Sequence, residues 1–373
     1  MKEMKSIQQF PNSLQPVFLA SVVLAGTLGT AITAAAQEFQ DLQTPKSPLV
    51  LKTQGSFFVG GETAEQTFIE VGSFGNGGGH ITVNQMYVEY MVPQGRQKVP
   101  VVMIHGLSLS GKTYETTPDG RMGWDEYFVR NDHPMYVVDQ VSRARSGFPQ
   151  AVFNNVGEGV VTPTAQPHMI RFTDEITWPN FRIGPEPGTP FPEAKFPVAA
   201  LDELSEQGIP AFNAVLPSPD PNFKALSELA TELDGAVIMG HSQGGLMPVE
   251  AALTNSAVAK GLVLVEPGSC GSNYTDEEID TLATVPILVV FGDNLGVDTG
   301  VPGFSWQNSF NGCNTFIDLV NAAGGNAQML YTPDLGIFGN SHMIMQDKNN
   351  LQIADLILEW IDENVGKRKV AKK

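Results

Sequence analysis

Gly240-His241-Ser242-Gln243-Gly244 has the spacing G-x-S-x-G, and its surroundings equip the serine for chemistry. The run before it, Ala236-Val237-Ile238-Met239, is short and apolar, as in a strand buried on both faces; Gly245 to Leu253 after it can open a helix. A serine held between strand and helix at a sheet edge is a nucleophile elbow, whose turn is too tight for Cβ atoms to pass. A serine hydroxyl is a weak nucleophile at neutral pH, so it requires a base, and the base requires an orienting carboxylate. In elbow chemistry the acid and then the base follow the serine along the chain. Of the six histidines, only His342 lies beyond Ser242, in the loop Gly339-Asn340-Ser341-His342. His241 is a poor base for Ser242, because adjacent residues at a sharp turn point apart. Two carboxylates stand just past strand-like runs: Glu266 after Leu262 to Val265, and Asp293 after Val289 to Gly292. The residues alone leave the choice between them open. An oxyanion needs two backbone N–H donors. Gln243, directly after the serine, is one candidate. Leu107, in His105-Gly106-Leu107, is the other, with His105 expected to orient that loop.

These groups need a scaffold. Val99 to Ile104, Met135 to Val138, Ala236 to Met239, Gly261 to Val265, Val285 to Val290 and Gln328 to Tyr331 are short, Val-rich runs suited to a parallel sheet covered on both faces. Phe223 to Leu233, Gly245 to Asn255, Thr315 to Ala323 and Leu351 to Val365 read as helices between and after them. Such alternation predicts an α/β fold, a mostly parallel sheet flanked by helices. Upstream, Gly55 to Val59, Thr67 to Val71 and Ile81 to Met91 read as strands of an antiparallel edge. Residues 147–221 are rich in Pro and Gly, without clear periodicity, and sit just before the nucleophile strand. A segment this long suggests a cap-like insertion. Its aromatics Trp178, Phe181, Phe191 and Phe196 are expected to pack over the elbow, with Trp178 and Phe181 lining an apolar substrate pocket.

The chain of 373 residues carries a net charge of −18, which argues against nucleic acid as a partner. Lys2 and Lys5 precede an apolar stretch from Val17 to Ile32, and Ala34-Ala35-Ala36 supplies small residues at a cleavage position. Residues 1–36 therefore read as a secretory signal peptide, which places the protein outside the cytoplasm, secreted or periplasmic. No other segment is long and apolar enough to span a bilayer, so no stable membrane anchor is expected. The hydrolase-like domain is assigned to residues 37–366, with a basic tail at 367–373. In an exported chain, the two cysteines Cys270 and Cys313 are expected to form a disulfide. Two cysteines without clustered histidines do not make a structural zinc site, and no metal is expected.

Longer motifs identify a family. The stretch from Gly111 to Phe128, Val138-Asp139-Gln140 with its Arg-rich turn, G-H-S-Q-G-G, V-E-P-G and the N-S-H-M-x-M-Q-D-x-N-N run ending at Asn350 are similar to the esterase seven-one-three group of bacterial α/β-hydrolases. The likeness runs from about Gly55 to Val365. It implies the α/β-hydrolase fold, a small-molecule ester substrate, a Ser–His–Glu triad, no cofactor and export. The group's acid lies just past the strand that follows the elbow helix, which favours Glu266 over Asp293. The chain departs from the group in one place. Some members carry two adjacent cysteines directly after H-G, where this chain has Leu107-Ser108. A lactone or amide substrate, or a binding protein without catalysis, remains an alternative reading, and a homodimer is consistent with it.

Overall fold

The computed structural model describes residues 42–43, 45–212 and 216–365, so the expected signal peptide and basic tail lie outside the described residues. Among the described residues, eight strands make one sheet: β1 (Leu51–Gln66), β2 (Gly79–Pro93), β3 (Val101–Ile104), β4 (Met135–Asp139), β5 (Ala236–His241), β6 (Ala259–Val265), β7 (Ile287–Phe291) and β8 (Ala327–Tyr331). Their order is β1-β2-β4-β3-β5-β6-β7-β8. β1 and β2 form an antiparallel edge, β2 joins β4 antiparallel, and every later pairing is parallel. The central strands β3, β5 and β7 are buried at every position, as a sheet covered on both faces requires.

Alternate residues of these strands feed two separate cores. Ile104, Ile238, Leu264 and Val289 face one side, against α5 (Pro221–Glu232), α6 (Met247–Thr254), α7 (Asp276–Leu282) and α8 (Trp306–Ala322). Met103, Met239, Val263, Val265 and Val290 face the other, against α1 (Trp124–Arg130) and α9 (Asn350–Asn364). Helix starts follow capping chemistry. Asp220 accepts the Asn222 N–H with Pro221 in the first turn of α5, and Thr275 with Glu278 forms a capping box on α7. Cys270, after β6, is bonded to Cys313 of α8, with 5.1 Å between Cα atoms. The disulfide ties the loop beyond β6 to the helix that follows β7.

Two expectations are corrected. Thr67 to Val71 is a helical turn and not a strand. Thr67 N–H donates to Glu70 Oε2 (2.8 Å), Glu70 N–H donates to Thr67 Oγ1 (3.2 Å), and Val71 N–H closes onto Thr67 O (3.1 Å). Reciprocal Thr-x-x-Glu bonding is a helix-start device that outweighs the β propensity of Thr, Phe, Ile and Val. Residues 147–221 are also less irregular than their composition suggests. They hold α2 (Ala151–Gly157), α3 (Asp174–Asn180) and α4 (Leu201–Glu206), each too short for an amphipathic stripe to show. Trp178, Phe181, Phe196 and Leu204 from this segment join the same core as α1 and α9.

Candidate active site

Parallel strands all point their carboxyl ends one way, so the loops after β5, β6, β7 and β8 converge on one edge. Ser242 directly follows β5 with φ 58°, a left-handed conformation that costs a non-glycine residue about 1–3 kcal/mol. It opens a 3-10 turn, Ser242–Leu246, that runs into α6. A Cβ at Gly240 would strike the Gly244 carbonyl oxygen, and a Cβ at Gly244 would strike the His105 carbonyl oxygen. The turn is therefore open only to glycine at both positions, as the G-x-S-x-G spacing anticipates.

His342 follows β8 and is buried, and its Nε2 lies 2.9 Å from Ser242 Oγ. On the other side of the ring, Nδ1 lies 3.5 Å from Glu266 Oε2, at the outer limit of a hydrogen bond. Glu266 follows β6 with φ 49° and is fully buried. Its Oε1 accepts the Gly292 N–H at 2.5 Å. Asp293 stands elsewhere in the network: its Oδ2 accepts the Gly339 N–H (2.8 Å), which fixes the start of the loop carrying His342. The two carboxylates thus divide, Glu266 against the imidazole and Asp293 against the backbone that presents it. Burial pushes the Glu266 carboxyl up, against the pull of Arg182, and burial together with the Arg182 charge holds the His342 imidazole well below its usual range. A neutral imidazole is the form able to accept a proton from Oγ.

The His342 loop is anchored from several sides. Asp347 Oδ2 accepts the Ser341 N–H (2.8 Å) and the Asn340 side-chain amide (2.9 Å), and its Oδ1 accepts the Ser341 hydroxyl (2.7 Å). Burial pushes that carboxyl up to about 7. His241 Nε2–H donates to His342 O at 2.9 Å. It is a backbone brace, and burial keeps its ring neutral. Trp306, at the start of α8, lies over the His342 ring with centroids 4.1 Å apart.

Gly106 passes so close to the serine that a Cβ there would lie 2.7 Å from Ser242 Cβ and 3.2 Å from Oγ. Leu107 is the next residue in the chain, so this close approach brings it to the side of Ser242. Gln243 is the second residue of the helical turn, where an N–H has no intrahelical acceptor. The loop is held by His105, whose Nε2 accepts the Gln140 N–H (3.0 Å) while Nδ1–H turns to Gly106 O (2.8 Å). Burial lowers its pKa to about 4, so it stays neutral and does no proton chemistry at ordinary pH. Ser108, with φ 56°, donates its hydroxyl to Ile170 O (2.8 Å), and its backbone carbonyl oxygen accepts the Ile209 N–H (2.9 Å), so residues 147–221 clamp this loop.

Beside that loop lies a small cleft of about 30 Å³, partly open to solvent and bordered by Ser108, Leu109, Phe172, Thr177, Phe181 and Leu204. Phe181 faces both the cleft and the His342 ring, 5.2 Å between centroids. Trp178 does not border it; at 6 % exposure it is part of the core with Ile183 and Phe196. Among the described residues no group of three or more His, Cys, Asp or Glu is placed to hold a metal, and no helix is long and apolar enough to cross a membrane. Sequence reasoning missed Arg182 and Trp306. Neither belongs to a motif, and only the folded chain brings them to Glu266 and His342.

Comparison with known proteins agrees with this architecture. No family model matches the chain. A solved bacterial esterase shares 43 % identity, with a TM-score of 0.81, over 87 % of this chain and 99 % of its own. A probable secreted lipase from a fungal species shares 27 % identity over 79 % of this chain and 90 % of its own.

Proposed function

Since this chain belongs to the α/β-hydrolase esterase family, we propose that it is an exported serine carboxylesterase working through Ser242, His342 and Glu266. One observation carries the reading: Ser242 Oγ, on a strained elbow, lies 2.9 Å from Nε2 of a buried histidine that is kept neutral. In the first step Oγ bonds to the ester carbonyl carbon while its proton passes to His342 Nε2. Charge develops on the carbonyl oxygen, where the N–H groups of Leu107 and Gln243 are the proposed donors. Collapse of the tetrahedral species breaks the C–O bond to the alcohol, which takes the proton from Nε2. Water then repeats the sequence on the acyl-enzyme, releasing the acid and restoring Oγ–H. Glu266 holds the Nδ1–H tautomer and stabilises the imidazolium that forms twice per cycle. Every proton is moved by the chain's own groups, and no cofactor enters.

The cleft bordered by Leu109, Phe172 and Phe181 is the proposed site of the substrate's apolar part. Export is supported by the signal-like residues 1–36, by the Cys270–Cys313 disulfide and by a relative described as secreted. A panel of p-nitrophenyl esters of rising acyl length tests the reading. Turnover is expected for short acyl groups, falling as the chain outgrows the cleft. No turnover of any ester by folded protein would mark a binding protein instead.

A further inference from the structure

Three consecutive residues at the end of α3 and just beyond it, Asn180 to Arg182, each bond to the proposed catalytic machinery. Asn180 O accepts the indole N–H of Trp306 (2.6 Å), the residue packed at a tilt against the His342 ring. Phe181 O accepts the His342 backbone N–H (2.8 Å). Arg182 reaches furthest. It is held at φ 55°, its guanidinium is fully buried, and Nη2 meets Glu266 Oε2 at 2.5 Å. Its Nε–H donates to Asp293 O (2.8 Å), and its Cζ lies 5.2 Å over the Trp306 ring. Oε2 is also the oxygen that faces His342 Nδ1. One carboxylate oxygen therefore serves two cations in prospect: a permanent guanidinium and the imidazolium that exists only during turnover.

We propose that Arg182, delivered by the cap-like segment, is a positioning residue that holds Glu266 ionised and aimed at His342 and keeps the Glu266–His342 pair free of an extra proton into acidic solution. The inference rests on the reading of Ser242, His342 and Glu266 given above. Without this partner the fully buried carboxylate would keep only the Gly292 N–H and the imidazole, and burial favours its neutral form. A neutral acid cannot stabilise an imidazolium. The guanidinium sets a positive charge against Oε2 through Nη2, and its planar fork is held in place by the Nε–H bond to the Asp293 carbonyl oxygen. The same charge opposes protonation of the imidazole. Because Glu266 and His342 share one proton as a pair, removing the guanidinium raises the pH at which the pair takes it up, whichever of the two carries it. The other titratable groups around the pair are His241, His105, Asp293, Asp347 and Tyr331. The two histidines are held neutral by burial, and Asp347 keeps its hydrogen bonds when Arg182 changes, whereas Asp293 and Tyr331 lose the pull of the Arg182 charge and Asp293 also loses the bond to its carbonyl.

The test compares Arg182→Gln and Arg182→Lys with the parent enzyme by the pH dependence of kcat/KM on a short p-nitrophenyl ester, with thermal melting alongside. In Arg182→Gln the acid limb is expected to move up by about one pH unit or more, a tenfold loss at a pH on that limb. In Arg182→Lys the charge is kept and the fork is lost, so kcat is expected to fall about tenfold with the limb in place. A drop in melting temperature with an unmoved limb in Arg182→Gln would make Arg182 a packing residue and overturn the proposal. If Arg182→Gln does not fold, a parental kcat in Arg182→Lys overturns the fork's role by itself. Glu266→Gln serves as the reference: full turnover there would overturn the assignment of the acid, a failure distinct from an unmoved limb.

Discussion

Replacing Glu266 by glutamine changes one oxygen to an amide nitrogen and leaves the volume alone. The geometry shows why so small a change is expected to be severe. Oε1 accepts the Gly292 N–H (2.5 Å), while Oε2 faces Arg182 (2.5 Å) and His342 Nδ1 (3.5 Å). Whichever way the amide turns, its NH₂ meets a donor, either the backbone N–H or the guanidinium with the imidazole N–H. The neutral side chain also leaves Arg182 as a buried, unpaired charge, which costs about 3–5 kcal/mol of stability. Loss of the orienting carboxylate lowers kcat about 10⁴-fold, close to 5.5 kcal/mol of transition-state stabilisation. The assay is ester turnover normalised to folded protein, so that the two losses are separated. Asp293→Asn is the control. Its remaining carbonyl oxygen can still accept the Gly339 N–H, and activity is expected to stay within about tenfold. A collapse in Asp293→Asn, with Glu266→Gln nearly intact, would refute the reasoning and transfer the role.

Gly106→Ala places a methyl against Ser242 (2.7 Å to Cβ) and should cost about 10²-fold in kcat/KM while the protein still folds; a normal rate would mean the loop yields freely. Trp178→Ala should lower stability by about 3–5 kcal/mol with little change in ester preference, because Trp178 is core; Phe181→Leu, at the cleft wall, should alter the acyl-length profile, and the reverse pattern would exchange their roles. Asp347→Asn removes the charge that three donors of the Asn340–Ser341 turn share, so about 1–3 kcal/mol of stability should be lost along with activity; wild-type melting would make that network dispensable. Reducing Cys270–Cys313, whose sequence separation is 43, should destabilise by up to about 4 kcal/mol, and two titratable thiols in unreduced protein would contradict the disulfide.

The elbow was legible because its geometry is local: a buried strand, two glycines and a helix are all consecutive in the chain. That His342 would come to lie beside Ser242 could be read from chain order. The central strands announced themselves by apolar runs, and their observed bounds differ by one or two residues at most sites. The first half of α8 was hidden, since Asn308, Asn311 and Gly312 weaken its pattern before Cys313, Phe316, Ile317 and Val320 reveal the buried face. Residues 147–221 hid their helices for a different reason. Helices of six or seven residues depend on tertiary contacts, here on Trp178, Phe181 and Leu204 entering a core built by distant strands. Arg182 was invisible for the same cause. Its partners Glu266, Asp293 and Trp306 lie far along the chain, and nothing local marks an arginine as buried.

Catalysis as proposed depends first on Ser242 acting as the nucleophile of an ester hydrolase. Intact-protein and peptide mass spectrometry after treatment with a fluorophosphonate tests it most directly, run in parallel with ester turnover. One covalent adduct on Ser242 is expected, with adduct and turnover both lost in Ser242→Ala. An adduct on another residue, or Ser242→Ala hydrolysing esters at the parental rate, would contradict the account.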